Sequence, residues 1–136
     1  MPSQDALAAV VARFYAAVRS KDVEAWVALF AADASAVDPV GTPPHHGHDG
    51  LRAFLSGVLQ HFETFGLAEN SVYFVSGGAA VKWTGVGRGK NGRDITFEGI
   101  DVFVFDSEAR IQSLAGYWDA APVLAAIEAP WGPNPT

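Results

Sequence analysis

The spacing of apolar residues changes once along this chain, and this change limits the possible folds more than any other feature. Apolar residues recur every three or four positions in the stretches 7–18, 26–30 and 51–62, which predicts three amphipathic helices. Ser3 and Asp22 precede the first two stretches at N-cap positions. In the second half of the chain the period becomes two, which predicts strands. Helices followed by strands are typical of an α+β fold, and not of alternating βαβ units.

The predicted strands are separated by turn sequences. One strand is expected at 34–40, between the second and third helices, and a Pro- and Gly-rich loop follows it at 41–50. The later strands are expected around residues 72–74, 81–83, 95–105 and 111–118, with turns at Gly77-Gly78 and Asn91-Gly92. We expect residues 1–136 to form a single domain with an irregular C-terminal tail at 123–136. A curved sheet wrapped around the helices would leave an apolar pocket between the two layers.

Composition and charge exclude several classes of function. Nine basic and fifteen acidic residues give a formal net charge of −6, which argues against binding to nucleic acid or to an anionic membrane surface. The chain contains no cysteine, so disulfides, thiol nucleophiles and cysteine-based metal sites are excluded. No apolar run approaches the ~18 residues of a membrane span, and the first residues lack the features of a secretory signal. We therefore expect a cytoplasmic protein.

One carboxylate lies on a strand face where a charge is unexpected. By the alternation of a strand, Asp101 shares a face with Phe97 and Phe103, and this face is expected to point toward the helices. Burial of an ionised carboxylate costs several kcal/mol, so Asp101 is predicted to stay protonated or to find a strong partner. The alternative is that Asp101 faces solvent, because its neighbours Ile100 and Val102 are apolar too.

A second carboxylate, Asp38, lies at the end of a predicted strand directly before Pro39. An Asp before a proline is often only a turn residue. Asp38 becomes a candidate catalytic group when it is paired with Asp101. Acid/base chemistry at neutral pH needs one carboxylate to accept a proton and one neutral carboxyl to donate a hydrogen bond. The two residues are therefore candidate catalytic groups.

Two segments resemble the bacterial Δ5-3-ketosteroid isomerases of the SnoaL-like and nuclear transport factor 2-like (NTF2-like) superfamily. Residues 30–41, FAADASAVDPVG, resemble the stretch around the catalytic base of that family. Residues 99–118, GIDVFVFDSEARIQSLAGYW, resemble the stretch around its protonated oxyanion-hole Asp. The similarity extends over roughly residues 10–119. It implies a cystatin-like cone, in which three helices pack on a curved, mostly antiparallel sheet that encloses an apolar pocket.

The resemblance also implies a reaction and a role for each matching residue. The reaction is the cofactor-independent and metal-independent shift of a double bond from Δ5 to Δ4 in a 3-oxo steroid or similar cyclic enone, through a dienolate. Asp38 would be the base and Asp101 the neutral donor to the dienolate oxygen. The side chains expected to contact this small apolar substrate are Phe14, Phe30, Phe54, Leu55, Trp83, Phe103 and Trp118. A homodimer is expected as in the family, because the outward residues Ile100, Val102 and Val104 are apolar.

The chain departs from the family at the other oxyanion donor, a tyrosine that directly follows an arginine in the first helix. Here Arg13 is followed by Phe14, and Tyr15 comes one residue later. One residue on a helix is a rotation of about 100°, so Tyr15 is predicted to leave the pocket face that Phe14 occupies. Phe30 and Leu55 stand where one branch of the family has supporting hydroxyls. Loss of one oxyanion donor lowers turnover by about 10²–10³-fold, so a weakened isomerase is expected.

Two other functions remain open at this point. The missing hydroxyls favour a non-catalytic protein that binds a small apolar ligand. A hydrolase, dehydratase or cyclase of the same fold is the third possibility, although no arginine is evidently placed beside the two carboxylates for epoxide hydrolysis. His45, His46 and His48 lie in a Pro- and Gly-rich loop, where we expect them to flank the pocket mouth and not to bind a metal.

Overall fold

Six strands form one curved sheet, and helices cover its concave face. A computed structural model describes residues 2–135 of the chain. Its elements are α1 (Gln4–Arg19), α2 (Val23–Val27), β1 (Phe30–Val37), β2 (His45–His46), α3 (Gly47–Leu59), β3 (Phe62–Val75), β4 (Gly78–Gly89), β5 (Asp94–Phe105), β6 (Ile111–Tyr117) and α4 (Ala120–Glu128). The strand order is β2-β1-β6-β5-β4-β3, and neighbours are antiparallel except for the parallel pair β1 and β6. This arrangement confirms the expected α+β cone.

The first two helices begin at the predicted N-caps. The Ser3 hydroxyl accepts a hydrogen bond from the Ala6 N–H at 3.1 Å, and the Asp22 carboxylate accepts one from the Ala25 N–H at 3.0 Å. These bonds satisfy amide groups that a helix leaves without partners in its first turn. α1 then packs on the sheet through a buried stripe of Leu7, Val10, Val11, Phe14, Tyr15, Ala17 and Val18.

The alternation of β5 places Asp101 on the inner face of the sheet. Asp101 and Phe103 are 3% and 1% exposed, whereas Val102 between them is 38% exposed. The predicted orientation of Asp101 is thereby confirmed. The outer face of the same strand is apolar, because Ile100 and Val104 are also exposed there.

The structure corrects several predicted boundaries. The first strand begins at Phe30, and the predicted loop at 41–50 contains β2 and the start of α3. α3 ends at Leu59, and Phe62 already opens β3. None of the helices described between residues 2 and 135 is long and apolar enough to cross a membrane.

The prediction of an irregular tail at 123–136 was wrong for residues 123–128, because residues 120–128 form a fourth helix; residues 129–135 form no helix or strand. The Asp119 carboxylate accepts a hydrogen bond from the Ala121 N–H at 3.2 Å. Pro122 lies in the first turn, where a helix does not need the N–H that proline lacks. Val123 then packs with Phe62 and Ile95 in a small cluster of buried residues at the open end of the sheet. The helix therefore brings a buried side chain to the edge of the cavity.

Candidate active site

A cavity lies between the helices and the concave face of the sheet. The volume of the cavity is about 70 Å³, and the empty space is about 580 Å³ when the open mouth is included. Its walls are apolar apart from two carboxylates. The lining side chains are Phe14, Val18, Trp26, Asp38, Phe54, Leu55, Val58, Phe62, Phe65, Leu67, Trp83, Phe97, Asp101, Trp118 and Val123. Such a cavity suits a largely apolar ligand with a few polar groups.

Asp38 directly follows β1 in the chain, and its side chain lines this cavity. The Trp118 indole N–H donates a hydrogen bond to its Oδ1 atom. β1 pairs in parallel with β6, so that Val37 is opposite Ala115, and Asp38 therefore reaches the level of Gly116. A Cβ atom on Gly116 would collide with the Asp38 carboxylate and would lie 3.3 Å from Asp101 Oδ1. Glycine at this position therefore lets the two carboxylates approach the same point.

Asp101 has a hydroxyl partner on α1 that was not predicted from the sequence. Tyr15 is 0% exposed, and its hydroxyl donates to Asp101 Oδ2 at 2.7 Å. Tyr15 was predicted to leave the pocket face that Phe14 occupies; Phe14 lines the cavity and Tyr15 is not among its lining residues, but the Tyr15 side chain stays buried. The buried stripe of an amphipathic helix is at least ~100° wide, so it accommodates two successive residues. Phe14 faces the cavity, and Tyr15 reaches Asp101 from beside it.

The two carboxyls titrate above the ordinary range. Burial raises the pKa of Asp38 to about 6, and the hydrogen bond from Trp118 opposes this rise. Burial, together with the nearby charge of Asp38, raises the pKa of Asp101 to about 7, although the Tyr15 hydroxyl and the Trp83 N–H favour its ionised form. Because the two carboxyls interact, they release their protons in two steps that belong to the pair. Burial also raises the pKa of Tyr15, which therefore remains a donor.

Five of the seven side chains expected to contact a substrate line the cavity: Phe14, Phe54, Leu55, Trp83 and Trp118. The other two expectations were wrong, because Phe30 and Phe103 lie behind the cavity wall. The Phe30 ring centroid is 4.6 Å from that of Trp26, and the Phe103 centroid is 5.0 Å from that of Phe14. They support the wall without forming it.

Several cavity residues were not selected from the sequence. Val18 belongs to the predicted stripe of the first helix, and Trp26 and Phe97 were recognisable only as aromatic residues of the interior. The others come from α3, β3 and α4: Val58, Phe62, Phe65, Leu67 and Val123. Only the curvature of the sheet and the position of α4 bring these residues to one cavity.

The histidines of the loop before α3 have separate packing contacts. The His45 ring lies 4.5 Å from that of Phe54, measured between centroids. The His48 ring donates to the Phe30 carbonyl oxygen at 2.8 Å. Burial also lowers the pKa of His45, so its ring is neutral near pH 7. His45 thus supports the cavity wall through Phe54.

Comparison with known protein families shows to which family the chain belongs. Residues 11–114 match the SnoaL-like domain family. The chain belongs to this family. Among curated proteins, this SnoaL-like chain is similar to the Steroid Delta-isomerase of Nocardioides simplex, with 32% identity over 113 residues that cover 81% of this chain and 87% of that protein.

Two solved structures share the fold of this SnoaL-like protein. An NTF2-like protein of unknown function from Burkholderia pseudomallei superposes with a TM-score of 0.81 at 25% identity, covering 91% of this chain and 98% of the other. SalBIII, described as an epoxide hydrolase/cyclase-like enzyme in pyran ring formation in the polyether salinomycin, superposes with a TM-score of 0.80. Its identity is 21%, over 88% of this chain and 95% of its own, so it shows the fold alone.

Proposed function

We propose that this SnoaL-like protein is a cofactor-independent isomerase that moves a double bond from Δ5 to Δ4 in a 3-oxo steroid or a similar cyclic enone. The observation that carries the proposal is the pair of carboxyls in one apolar cavity, with the Trp118 indole N–H bound to Asp38 and the Tyr15 hydroxyl bound to Asp101. Near neutral pH such a pair supplies a base and a neutral hydrogen-bond donor together. The similarity to a protein named Steroid Delta-isomerase supports the choice of substrate class.

The proposed reaction moves one proton. Ionised Asp38 removes a proton from the carbon between the ketone and the double bond, and the electron pair shifts onto the ketone oxygen to give a dienolate. Protonated Asp101 donates a hydrogen bond to that oxygen, where the negative charge develops. Asp38 then returns the proton two carbons further along, which restores the ketone and leaves the double bond conjugated with it. No atom is gained or lost.

In this proposal Tyr15 is a positioning residue for Asp101. Its hydroxyl occupies Asp101 Oδ2, which leaves Oδ1, on the side of Gly116 and Asp38, to hold the proton. The donor then faces the space where the substrate carbonyl would lie. Trp118 has the corresponding role for Asp38, because its indole N–H fixes one carboxylate oxygen and favours the ionised form.

The test is a spectrophotometric assay with 5-androstene-3,17-dione, following the conjugated product. We expect wild-type turnover that falls at least about 10²–10⁴-fold in Asp38→Asn, the usual contribution of a general base. The variant should remain folded and should still bind the steroid product in a fluorescence titration. Asp33→Asn is the matched control, because Asp33 lies on the exposed face of β1 and contacts Gln112. Full activity of Asp38→Asn would overturn the proposed role of Asp38.

One observation favours a second candidate, a non-catalytic protein that binds a small apolar ligand. Phe14, without a hydroxyl, lines the cavity at the position where the resemblance leads one to expect a tyrosine. Tight steroid binding with no wild-type turnover would select this function.

An epoxide hydrolase is less favoured. The arginines Arg52, Arg88 and Arg110 form ion pairs with surface carboxylates, and none of them is among the residues that line the cavity. The arginine beside the two carboxylates that epoxide hydrolysis would need in this fold is therefore not among the lining residues.

A further inference from the structure

Two tryptophans of the cavity carry buried N–H groups without an acceptor. Trp26 and Trp83 are 1% and 2% exposed, and neither indole N–H has a hydrogen-bond partner within residues 2–135. The third tryptophan of the cavity, Trp118, donates to Asp38. A buried donor without an acceptor costs about 1–3 kcal/mol. Two such donors in the wall of one cavity indicate that an acceptor enters with the ligand.

The ring of Trp83 is placed beside Asp101. Trp83 on β4 lies opposite Gly99 on β5, two residues before Asp101 and on the same face. A Cβ atom on Gly99 would lie 2.5 Å from Trp83 Cζ2, so the ring crosses β5 at this glycine. Cζ2 is bonded to the ring carbon that carries the N–H, and this edge of the indole therefore lies near β5.

The N–H of Trp83 is close to the Asp101 carboxyl without forming a hydrogen bond to it. Its proximity favours the ionised form of Asp101, yet the geometry of a hydrogen bond is not met. The ring of Phe97 packs edge-on against Trp83, with centroids 5.3 Å apart and an angle of 82°. The indole is thus held in place, and its N–H remains available to a ligand atom near Asp101.

We propose that Trp83 is the second donor to the dienolate oxygen, which would lie between Asp101 Oδ1 and Trp83 Nε1. This inference rests on the proposed isomerase function. A tyrosine at position 14 would donate a hydrogen bond to the dienolate oxygen through its hydroxyl. Because Phe14 has no hydroxyl, Trp83 is assigned this role. A fixed N–H in an apolar cavity stabilises a developing negative charge well, because little reorganisation is needed when the charge forms. Trp26 instead contacts Phe14, Phe30 and Phe54, an aromatic cluster on the helical side.

The experiment compares Trp83→Phe with Trp26→Phe in the steroid assay. Each variant loses one indole N–H and the same ring volume from the same cavity. For Trp83→Phe we expect kcat to fall by about 10²–10³-fold, as for removal of an oxyanion donor, with KM changing much less. Trp26→Phe should lose clearly less kcat. Trp131→Phe is the unchanged control, because Trp131 is 80% exposed. Equal kcat in Trp83→Phe and the wild type would overturn the inference.

A binding measurement separates this inference from the proposed function. The 4-nitrophenolate anion resembles a dienolate in presenting an oxygen that bears part of a delocalised negative charge, and its absorbance reports its ionisation. We expect Trp83→Phe to weaken its binding by a factor similar to the loss in kcat, with little effect on the neutral steroid product. A wild type that binds the anion but lacks turnover would overturn the proposed function alone. Unchanged anion binding in Trp83→Phe would overturn the role of Trp83.

A second variant serves as a control for the possible loss of folding in Trp83→Phe. If Trp83→Phe does not fold, 3-benzothienylalanine at position 83 replaces the N–H by sulfur and keeps a bicyclic ring of nearly the same shape. The same losses in kcat and in anion binding are expected for this variant. Retention of both by a folded protein would contradict the assignment.

Discussion

The hydrogen bond from Tyr15 to Asp101 gives a prediction with a definite sign. Activity requires ionised Asp38 and protonated Asp101, so kcat/KM should rise as the pH passes about 6 and fall again above about 7. The Tyr15 hydroxyl favours the ionised form of Asp101. In Tyr15→Phe this preference is lost, the pKa of Asp101 rises, and the alkaline limb should move to higher pH.

The size of this movement follows from the strength of the bond. A buried hydrogen bond of 2.7 Å to a carboxylate contributes about 1.5–3 kcal/mol. One pKa unit corresponds to 1.36 kcal/mol, so the alkaline limb should move upward by about 1–2 units. The acidic limb depends mainly on Asp38 and should move much less. At the optimum kcat should fall by less than the ~10²–10³-fold of a lost oxyanion donor, because the Asp101 O–H remains but is less acidic.

The measurement is a profile of kcat/KM between pH 4 and 10 with 5-androstene-3,17-dione, for the wild type and for Tyr15→Phe. Tyr73→Phe is the matched control, because Tyr73 is 66% exposed on β3 and its profile should equal that of the wild type. Thermal unfolding would verify that Tyr15→Phe remains folded over this range. An alkaline limb that stays in place, or moves to lower pH, would refute the argument that Tyr15 acts through Asp101.

Two further predictions concern Phe14 and the outer face of the sheet. Phe14→Tyr should raise kcat, by at most the about 10²–10³-fold of one oxyanion donor, in the same steroid assay; no gain in a folded variant would show that the side chain at position 14 does not reach the substrate oxygen. We also propose that the exposed apolar residues of β5, Ile100, Val102 and Val104, pack against a second copy of the chain. Light scattering should then give the mass of a dimer for the wild type and of a monomer for Val102→Lys, whereas a monomeric wild type would contradict this proposal.

The sequence was sufficient for features that depend on local period. The alternation of β5 predicted that Asp101 faces the interior, because each residue of a strand points opposite to its neighbours. The caps at Ser3 and Asp22 were predictable as well, since they depend on the next few residues only. Asp38 and Asp101 lie 63 residues apart; they were paired because acid/base chemistry needs two unlike carboxyls, and the family resemblance added the role of each.

The position of Tyr15 was not predictable from helical rotation alone. The rotation of about 100° from Phe14 was correctly applied, but it does not give the width of the buried stripe. That width depends on how deeply α1 lies in the concave sheet, which is set by contacts with β3 and α2. Phe30 and Phe103 were misplaced for a related reason. Their strand faces were correct, yet only tertiary packing decides which inward side chain reaches the cavity.

The raised pKa values of Asp38 and Asp101 oppose folding at neutral pH, which indicates a functional and not a structural site. An exposed structural carboxylate such as Asp94 has its pKa lowered by the hydrogen bond from Arg88, so pairing favours the folded chain once the carboxylate is ionised. The pKa values of Asp38 and Asp101 are raised instead. The folded chain then binds more protons than the unfolded chain between about pH 4 and 7, and its stability falls as the pH rises through this range.

The hydrogen bonds from Trp118 and Tyr15 offset only part of this cost, and other features around the two carboxyls maintain it. Gly116 brings the carboxylates toward each other, and Arg110 pairs with the surface residues Asp106 and Glu108 instead of with either carboxylate. The indole N–H of Trp83 favours the ionised form of Asp101 by its proximity alone, because it forms no hydrogen bond. Each of these features is unfavourable for a carboxylate whose only task is to stabilise the fold. They are the conditions that keep a neutral acid beside a base, and perturbed carboxyls of this kind are characteristic of catalytic sites.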